Sequence, residues 1–290
     1  MLDGVLVALI TPFTRDDVID TDGVRSNIDF LANKGISGIV PSGTTGESAT
    51  LTFQEHKDLI ELTVDHSPVA VVAGTGSNST AEALELTQYA ADAGADAALL
   101  ITPYYNKPND EGLVRHFTRI ADNADIPQIL YNVPSRTCIN MKPEVAARLA
   151  RHPNIIGIKE ASGDLEQIAE IITLTQDEDF ILFSGDDAMT LPIMELGGAG
   201  VISVTANIVP EKMAAMAAAF KKGNKTEAER IEKELLPLID ALFLETNPIP
   251  VKRAAELIGL AAGHLRLPLA PISTDNEAKL IAELKAIGAL

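Results

Sequence analysis

The chain has 290 residues, 46% of them hydrophobic, which suffices for one large buried core, and its formal net charge of -18 disfavours nucleic acid and anionic membranes as partners. Its single cysteine, Cys138, excludes an internal disulfide, and no apolar run has the length or flanks of a membrane span or a signal peptide. We therefore expect a cytoplasmic protein whose partners are small molecules.

Short apolar runs rich in β-branched residues recur at fairly even spacing, and each has the character of a strand buried on both faces. In chain order they are Val5–Ile10, Gly38–Val40, Val69–Ala73, Ala97–Ile101, Ile129–Tyr131, Ile155–Ile158, Phe180–Phe183 and Val201–Val204. Helical periodicity fills the segments between them, as in Phe53–Asp65, Thr80–Ala93 and Asp164–Thr175, with Thr80 and Asp164 as predicted N-caps. Roughly eight β–α units in this length predict a closed α/β barrel, (β/α)8, rather than an open doubly wound sheet.

The chain after the eighth predicted strand has helical patterns without strands. A helix over Glu211–Lys221 is predicted to stop at Gly223-Asn224, and helical patterns follow over Lys225–Glu245, Pro250–Leu260 and Asp275–Ile287. We therefore predict a catalytic barrel over residues 1–222 and a C-terminal helical extension over residues 223–290. No Gly/Ser-rich linker separates them, so we expect the extension to pack on the barrel.

Polar residues that directly follow the strand runs are the candidates for an active site, because the C-terminal ends of barrel strands meet at one mouth. They occur in Ser42–Glu47, Tyr104–Asn106, Tyr131–Arg136, Lys159-Glu160 and Ser184–Asp187. Lys159 closes an apolar strand, where desolvation lowers the pKa of an amine and makes it a nucleophile toward a ketone. Its position alone fits a structural ion pair equally well.

Tyr131 ends the strand before that of Lys159, so its phenol is expected beside the amine, where it can move protons. Thr44 is a candidate link in a hydrogen-bonded relay with this phenol. The alternative for Tyr131 is a tyrosine that only packs at the strand end. The turn Gly43–Ser48 presents N–H groups and hydroxyls to a carboxylate, or serves only as an ordinary βα turn. It lacks the ending of a phosphate-binding loop.

Two further features have a chemical and a structural interpretation. Arg136, in a loop just beyond the fifth strand, suits bidentate binding of a carboxylate, but a surface arginine is the ordinary alternative. Asp186-Asp187 has no histidine or third carboxylate nearby that would suggest a metal, and it fits an N-cap of the following helix.

Together these segments resemble the dihydrodipicolinate synthase family, within the class I pyruvate aldolases, over nearly the whole chain. The motifs that carry the resemblance are GTTGESATL, AGTGSNST at Ala73–Thr80, TPYYNKP at Thr102–Pro108, LYNVPSRT at Leu130–Thr137, IIGIKEASGD at Ile155–Asp164, SGDDA at Ser184–Ala188, GGAGVISVTAN at Gly197–Asn207 and NPIPVK at Asn247–Lys252. Their number and order make a chance match unlikely.

The resemblance implies that Lys159 forms an imine with pyruvate and that Tyr131 donates and accepts protons, with Thr44 and Tyr105 in the same relay. It implies that Tyr105 reaches the site of a neighbouring subunit, hence a homo-oligomer, usually a dimer of dimers. It also implies substrate-binding residues: Thr45, Gly185 and Ile202 for pyruvate, and Arg136 for the carboxylate of aspartate semialdehyde.

The implied reaction is the condensation of pyruvate with (S)-aspartate 4-semialdehyde, the first committed step of diaminopimelate and lysine biosynthesis. Because the protonated imine is the electron sink, neither a metal nor an organic cofactor is expected. One alternative is a lyase for sialic acid or keto-deoxy sugar acids, against which Arg136 argues. Another is a ligand-binding regulator on the same fold, which the intact set of candidate catalytic residues disfavours.

The resemblance further implies feedback inhibition by lysine at a second site. The matching positions are Ser48, Ala49, His56, Asn78, Glu82 and Tyr104. Glu82 can pair with the α-ammonium of lysine, Asn78 and the Tyr104 hydroxyl can bind its carboxylate, and His56 can line its side-chain end. Phe53 departs from the pattern, since lysine-sensitive relatives often have a histidine there, and ordinary interface residues are the alternative.

Overall fold

The structure is a computed structural model that describes residues 2–290. Within these residues eight strands form a closed barrel in which neighbours follow the order of the sequence. The strands are β1 Gly4–Ala8, β2 Gly38–Val40, β3 Ala70–Gly74, β4 Ala97–Ile101, β5 Gln128–Asn132, β6 Ile155–Glu160, β7 Ile181–Ser184 and β8 Gly200–Ser203. Neighbouring strands pair in parallel, as β4 with β5 and β5 with β6. The predicted (β/α)8 barrel is confirmed.

Twelve α-helices accompany the strands in the described part of the chain. They are α1 Thr21–Ala32, α2 Phe53–His66, α3 Thr80–Ala93, α4 Asp110–Ala121, α5 Pro134–Thr137, α6 Pro143–Ala150, α7 Leu165–Leu174, α8 Thr190–Glu195, α9 Pro210–Lys221, α10 Lys225–Leu242, α11 Ile249–Leu257 and α12 Thr274–Ala286. None of these helices combines the length and the apolar character that a membrane span requires. The last four helices, α9 to α12, follow the last strand, as the sequence predicted.

Side-chain caps explain where several helices begin. The predicted cap at Asp164 is confirmed, because its carboxylate accepts hydrogen bonds from the N–H groups of Glu166 and Gln167. The predicted cap at Thr80 is wrong. Ser79 has the extended backbone of an N-cap and accepts from the N–H of Glu82, so Thr80 is the first helical residue of α3.

By compactness the chain forms two units. One comprises the residues up to Ala70 together with Ser203–Leu290, and in it α10 packs against α9 and α12. The other is Val71–Ile202, whose core includes Leu100, Phe117 and Ile158. The predicted division at residues 222 and 223 stays a prediction.

Candidate active site

Lys159 and Tyr131 lie at the C-terminal ends of two neighbouring strands, and the register pairs them directly. The Lys159 Nζ is 4.4 Å from the centroid of the Tyr131 ring, so the amine faces the ring. Both side chains are buried, and Lys159 is only 6% exposed. The structure therefore brings together the two side chains on which the sequence-based mechanism depends.

Burial lowers the pKa of Lys159 from 10.5 to about 8. The carboxylate of Asp187 opposes this effect, and the guanidinium of Arg136 adds to it. The face of the Tyr131 ring also favours the charged ammonium. Thus the amine is desolvated, which is the condition that the nucleophile interpretation requires, and the charge of one carboxylate partly opposes that effect. At neutral pH about a tenth of such an amine is unprotonated and able to attack a ketone.

The loop after β7 passes directly against the Lys159 side chain. The N–H of Gly185 donates to the carbonyl oxygen of Glu160 at 2.7 Å. A Cβ on residue 185 would lie 3.1 Å from the Cε of Lys159 and 2.7 Å from the Cβ of Ala161. A larger residue would displace its neighbours, so glycine at this position preserves the space around the amine.

The pair Asp186-Asp187 divides its roles. Asp186 accepts a hydrogen bond from the N–H of Ala188 and caps the short 3-10 helix Asp187–Met189. The N-cap predicted for this pair is confirmed at Asp186, whereas Asp187 is buried and acts electrostatically on Lys159. Its position directly after a barrel strand was the available signal for such a role. Within residues 2–290 no group of three or more potential ligands could hold a metal ion.

A buried polar cluster lies next to the Tyr131–Lys159 pair along the same two strands. Asn132 is paired in register with Glu160, and its Nδ2 donates to the two carboxylate oxygens at 3.0 and 3.2 Å. The N–H of Ser162 donates to the same carboxylate at 2.7 Å. Burial raises the pKa of Glu160, and the hydrogen bonds from Asn132 and Ser162 oppose that rise. We infer that the cluster holds the ends of β5 and β6 in register, a role that no local pattern in the sequence indicates.

Among the residues predicted for catalysis and substrate binding, Arg136 and Tyr105 are the exposed ones in this unit. Arg136 lies on the short helix α5, close enough for its charge to act on Lys159. Tyr105 is 90% exposed and has a φ of 69°, a backbone conformation that is strained for a tyrosine. The turn is fixed by side-chain amides, because Asn106 donates to the carbonyl of Asn78 and Asn78 donates to that of Tyr104.

Thr44 and Thr45 lie on the loop Ser42–Glu47 of the other compact unit. The first and last residues of this loop have φ values of 55° and 57°, so it begins and ends with strained backbone. Thr44 is partly exposed, whereas Thr45 is buried and accepts a hydrogen bond from Asn247. Ile202, the remaining predicted pyruvate contact, is buried on β8.

The positions predicted to bind lysine fall in both units. In one unit Ser48 begins the 3-10 helix Ser48–Thr50, Ala49 is exposed and His56 is buried on α2. In the other unit Asn78, Glu82 and Tyr104 are all at least partly exposed. The Glu82 carboxylate accepts a hydrogen bond from Ser77 at 2.8 Å.

Comparison with known proteins identifies the family. A model described as the dihydrodipicolinate synthetase family matches residues 1–287. The chain belongs to this family. The 4-hydroxy-tetrahydrodipicolinate synthase of Methanosarcina acetivorans is 59% identical over 290 residues, covering 100% of both chains.

Solved structures agree with this assignment. Dihydrodipicolinate synthase from Cyanidioschyzon merolae, solved with lysine bound, is 44% identical with a TM-score of 0.96, over 100% of this chain and 99% of that one. The enzyme from Acinetobacter baumannii, solved in complex with pyruvate, is 40% identical with a TM-score of 0.97, over 100% of each chain. The family, the fold and an enzymatic activity of the lyase type are thereby shown.

Proposed function

We propose that this chain is a 4-hydroxy-tetrahydrodipicolinate synthase, which condenses pyruvate with (S)-aspartate 4-semialdehyde. The observation that carries the proposal is the buried amine of Lys159, whose pKa is lowered to about 8, beside Tyr131 on the neighbouring strand. Full-length relatives of the same name, such as the one from Methanosarcina acetivorans, support the choice of substrates.

In the proposed reaction the neutral amine of Lys159 adds to the carbonyl carbon of pyruvate. Loss of water gives a protonated imine, and loss of a methyl proton converts it to an enamine. The enamine carbon attacks the aldehyde of the semialdehyde and forms the new C–C bond. The amino group of that substrate then attacks the imine carbon, which closes the ring and releases Lys159 as a free amine.

The remaining residues take the roles that the family resemblance assigns. Tyr131 moves protons during imine formation and enamine formation, with Thr44 and Tyr105 in its relay. Arg136 binds the carboxylate of the semialdehyde, and its exposure suits a substrate that arrives second. Thr45, Gly185 and Ile202 contact pyruvate; the tight packing of Gly185 on Lys159 supports its place in this group.

Reductive trapping tests the proposal. The protein is treated with pyruvate and borohydride, and the modified residue is located by mass spectrometry. Condensation with aspartate semialdehyde is assayed in parallel with cleavage of sialic acid. We expect modification at Lys159 and condensation only. Lys159→Ala and Lys159→Arg should not be trapped, because neither side chain has an amine that can attack the ketone. Trapping of either variant at the wild-type level would refute the mechanism.

We also propose a homo-oligomer, a dimer of dimers, in which Tyr105 completes the relay of a neighbouring subunit. The strained, 90% exposed tyrosine fixed by Asn78 and Asn106 supports a role outside its own subunit. Light scattering measures the assembly. Mixing a Tyr105→Phe variant with a Lys159→Ala variant should restore part of the activity. A mixed assembly contains one site that has both an intact Lys159 and an intact Tyr105 from the neighbouring subunit. No recovery after verified subunit exchange would contradict the proposal.

Finally, we propose lysine as an inhibitor that binds at Ser48, Ala49, His56, Asn78, Glu82 and Tyr104. The relative from Cyanidioschyzon merolae that was solved with lysine bound supports this choice of ligand. Activity is titrated with lysine in the wild type, in Glu82→Ala and in Asp92→Ala, a control at the other end of α3. We expect weaker inhibition of Glu82→Ala alone. An insensitive wild type at millimolar lysine, or equal inhibition of all three proteins, would contradict the proposed site.

A further inference from the structure

The loop that carries Thr45 is held by residues more than two hundred positions later in the chain. The Nδ2 of Asn247 donates a hydrogen bond to the Oγ1 of Thr45 at 3.0 Å. Both side chains are buried, with 3% of Thr45 and 5% of Asn247 exposed. At the end of the same loop, Glu47 pairs with the Nζ of Lys252 on α11 at 2.7 Å. Asn247 and Lys252 lie within one short segment, so two contacts join this segment to the loop.

The ion pair between Glu47 and Lys252 is fully engaged. The Nζ of Lys252 also donates to the carbonyl oxygens of Thr11 at 3.0 Å and of His264 at 2.6 Å, which uses all three of its donors. The second carboxylate oxygen of Glu47 accepts from the N–H of Arg266 at 3.0 Å. A buried pair of this kind adds little net stability but can specify geometry. Here it fixes the start of α11, and with it Asn247, against the loop that carries Thr45.

The direction of the Asn247–Thr45 hydrogen bond determines what the hydroxyl can do. An amide NH2 group only donates, so the Thr45 oxygen accepts in this bond. A hydroxyl has a single proton, and that proton is left for a different partner. A carboxylate is such a partner, because its oxygens only accept.

We propose that Asn247 is a positioning residue that presents the Thr45 hydroxyl as a donor to the carboxylate of a small 2-oxo acid, which is pyruvate if the proposed function holds. The inference rests on that function and adds to it a residue that acts through Thr45. Asn247 sets the direction of the hydroxyl, and the Glu47–Lys252 pair sets the place of Asn247.

Asn247→Asp tests the inference with little change of shape. A carboxylate at residue 247 accepts the Thr45 proton, which takes it away from the substrate. Asn247→Ala removes the amide that orients the Thr45 hydroxyl and adds no charge. The test therefore remains available if the aspartate variant fails to fold. Asn224→Asp is the control, because it adds the same charge in the same unit and an aspartate also caps α10.

The readout is the pyruvate concentration that gives half-maximal borohydride trapping at Lys159, measured for each variant with Thr45 present and in a Thr45→Val background. With Thr45 present, we expect Asn247→Asp to raise this concentration about tenfold or more, Asn247→Ala to raise it less, and the control to change it within about twofold. The kcat at saturating pyruvate should change less than the half-saturating concentration. In the Thr45→Val background both Asn247 effects should nearly vanish, because the residue through which they act is gone.

Different failures point to different errors. If the wild type is not trapped at any pyruvate concentration, the proposed function is wrong and the inference falls with it. If the wild type is trapped but the Asn247 variants bind pyruvate normally, only the inference is wrong. Equal fold-changes with and without the Thr45 hydroxyl would also overturn it, because Asn247 would then act by charge or by general structure.

Discussion

The two charges that act on Lys159 should shift its titration in opposite directions when they are removed. The Asp187 carboxylate raises the pKa of the amine and the Arg136 guanidinium lowers it, against a background of burial that brings it to about 8. Asp187→Asn should therefore lower the pKa below about 8, and Arg136→Met should raise it. At pH 7 an amine with a pKa of about 8 is about one tenth neutral, against about one part in three thousand at the ordinary 10.5. Burial thus increases the reactive fraction about 300-fold, and each further pKa unit changes it about tenfold.

The pH dependence of kcat/KM for pyruvate measures this titration, because it reports the ionisation of the free enzyme. In the wild type we expect kcat/KM to rise with pH and to level off above about pH 8. The rise should move to lower pH in Asp187→Asn and to higher pH in Arg136→Met. Asp186→Asn is the matched control, since asparagine keeps the cap on Ala188. Shifts of both variants in the same direction, or a shift in the control alone, would refute the electrostatic account.

Three further predictions concern neighbouring residues. Tyr131→Phe should reduce kcat by ~10²–10⁴ with little effect on stability, and a loss below about tenfold would make Tyr131 structural. Arg136→Ala should weaken the apparent affinity for aspartate semialdehyde by about 1.5–3 kcal/mol and that for pyruvate by less, as steady-state kinetics with each substrate varied would measure; equal losses would contradict its role. Asn132→Ala should lower the free energy of unfolding by about 1–3 kcal/mol in urea titrations, because the buried Glu160 carboxylate loses a donor; an unchanged midpoint would show that the donor is dispensable.

Much of the fold could be predicted because its signals are local. The strands Gly38–Val40 and Ala97–Ile101 have the predicted bounds, since their uninterrupted apolar runs end at polar or turn residues. The end of α10 was harder to predict from the sequence. The helical pattern extended to Glu245, whereas the helix ends at Leu242. Both Ser79 and Thr80 are good capping residues, and only the extended backbone at Ser79 decides between them.

The candidate site shows the same limit. Lys159 and Tyr131 could be placed together because they end consecutive strands, and neighbouring strands of a barrel bring such residues side by side. The roles of Asp187 and Asn247 were not assigned from the sequence. Asp187 looked like part of a cap, and the partner of Asn247 lies 202 positions earlier in the chain. Contacts of that separation leave no local pattern, so only the folded structure reveals them.

The buried amine should also cost the protein stability, and this cost gives a last prediction. The difference between a pKa of 10.5 in the unfolded chain and about 8 in the folded one corresponds to about 3 kcal/mol. Below about pH 8 both states hold the proton, and the folded state bears the full cost of a desolvated ammonium. As pH rises from about 8 to 10.5 the folded state has lost the proton and the unfolded state still binds it, so stability increases with pH and the cost disappears. Lys159→Met keeps most of the length of the side chain and removes the charge, and it should raise the Tm by several degrees at pH 7 while abolishing activity. Its advantage over the wild type should shrink at pH 9.5, as calorimetry at the two pH values would measure. Lower stability of the variant than of the wild type at pH 7, or an advantage that does not depend on pH, would refute this prediction. Asp187 and the Tyr131 ring would then stabilise the ammonium enough to offset its burial. The amine would not be held in a destabilised, reactive state.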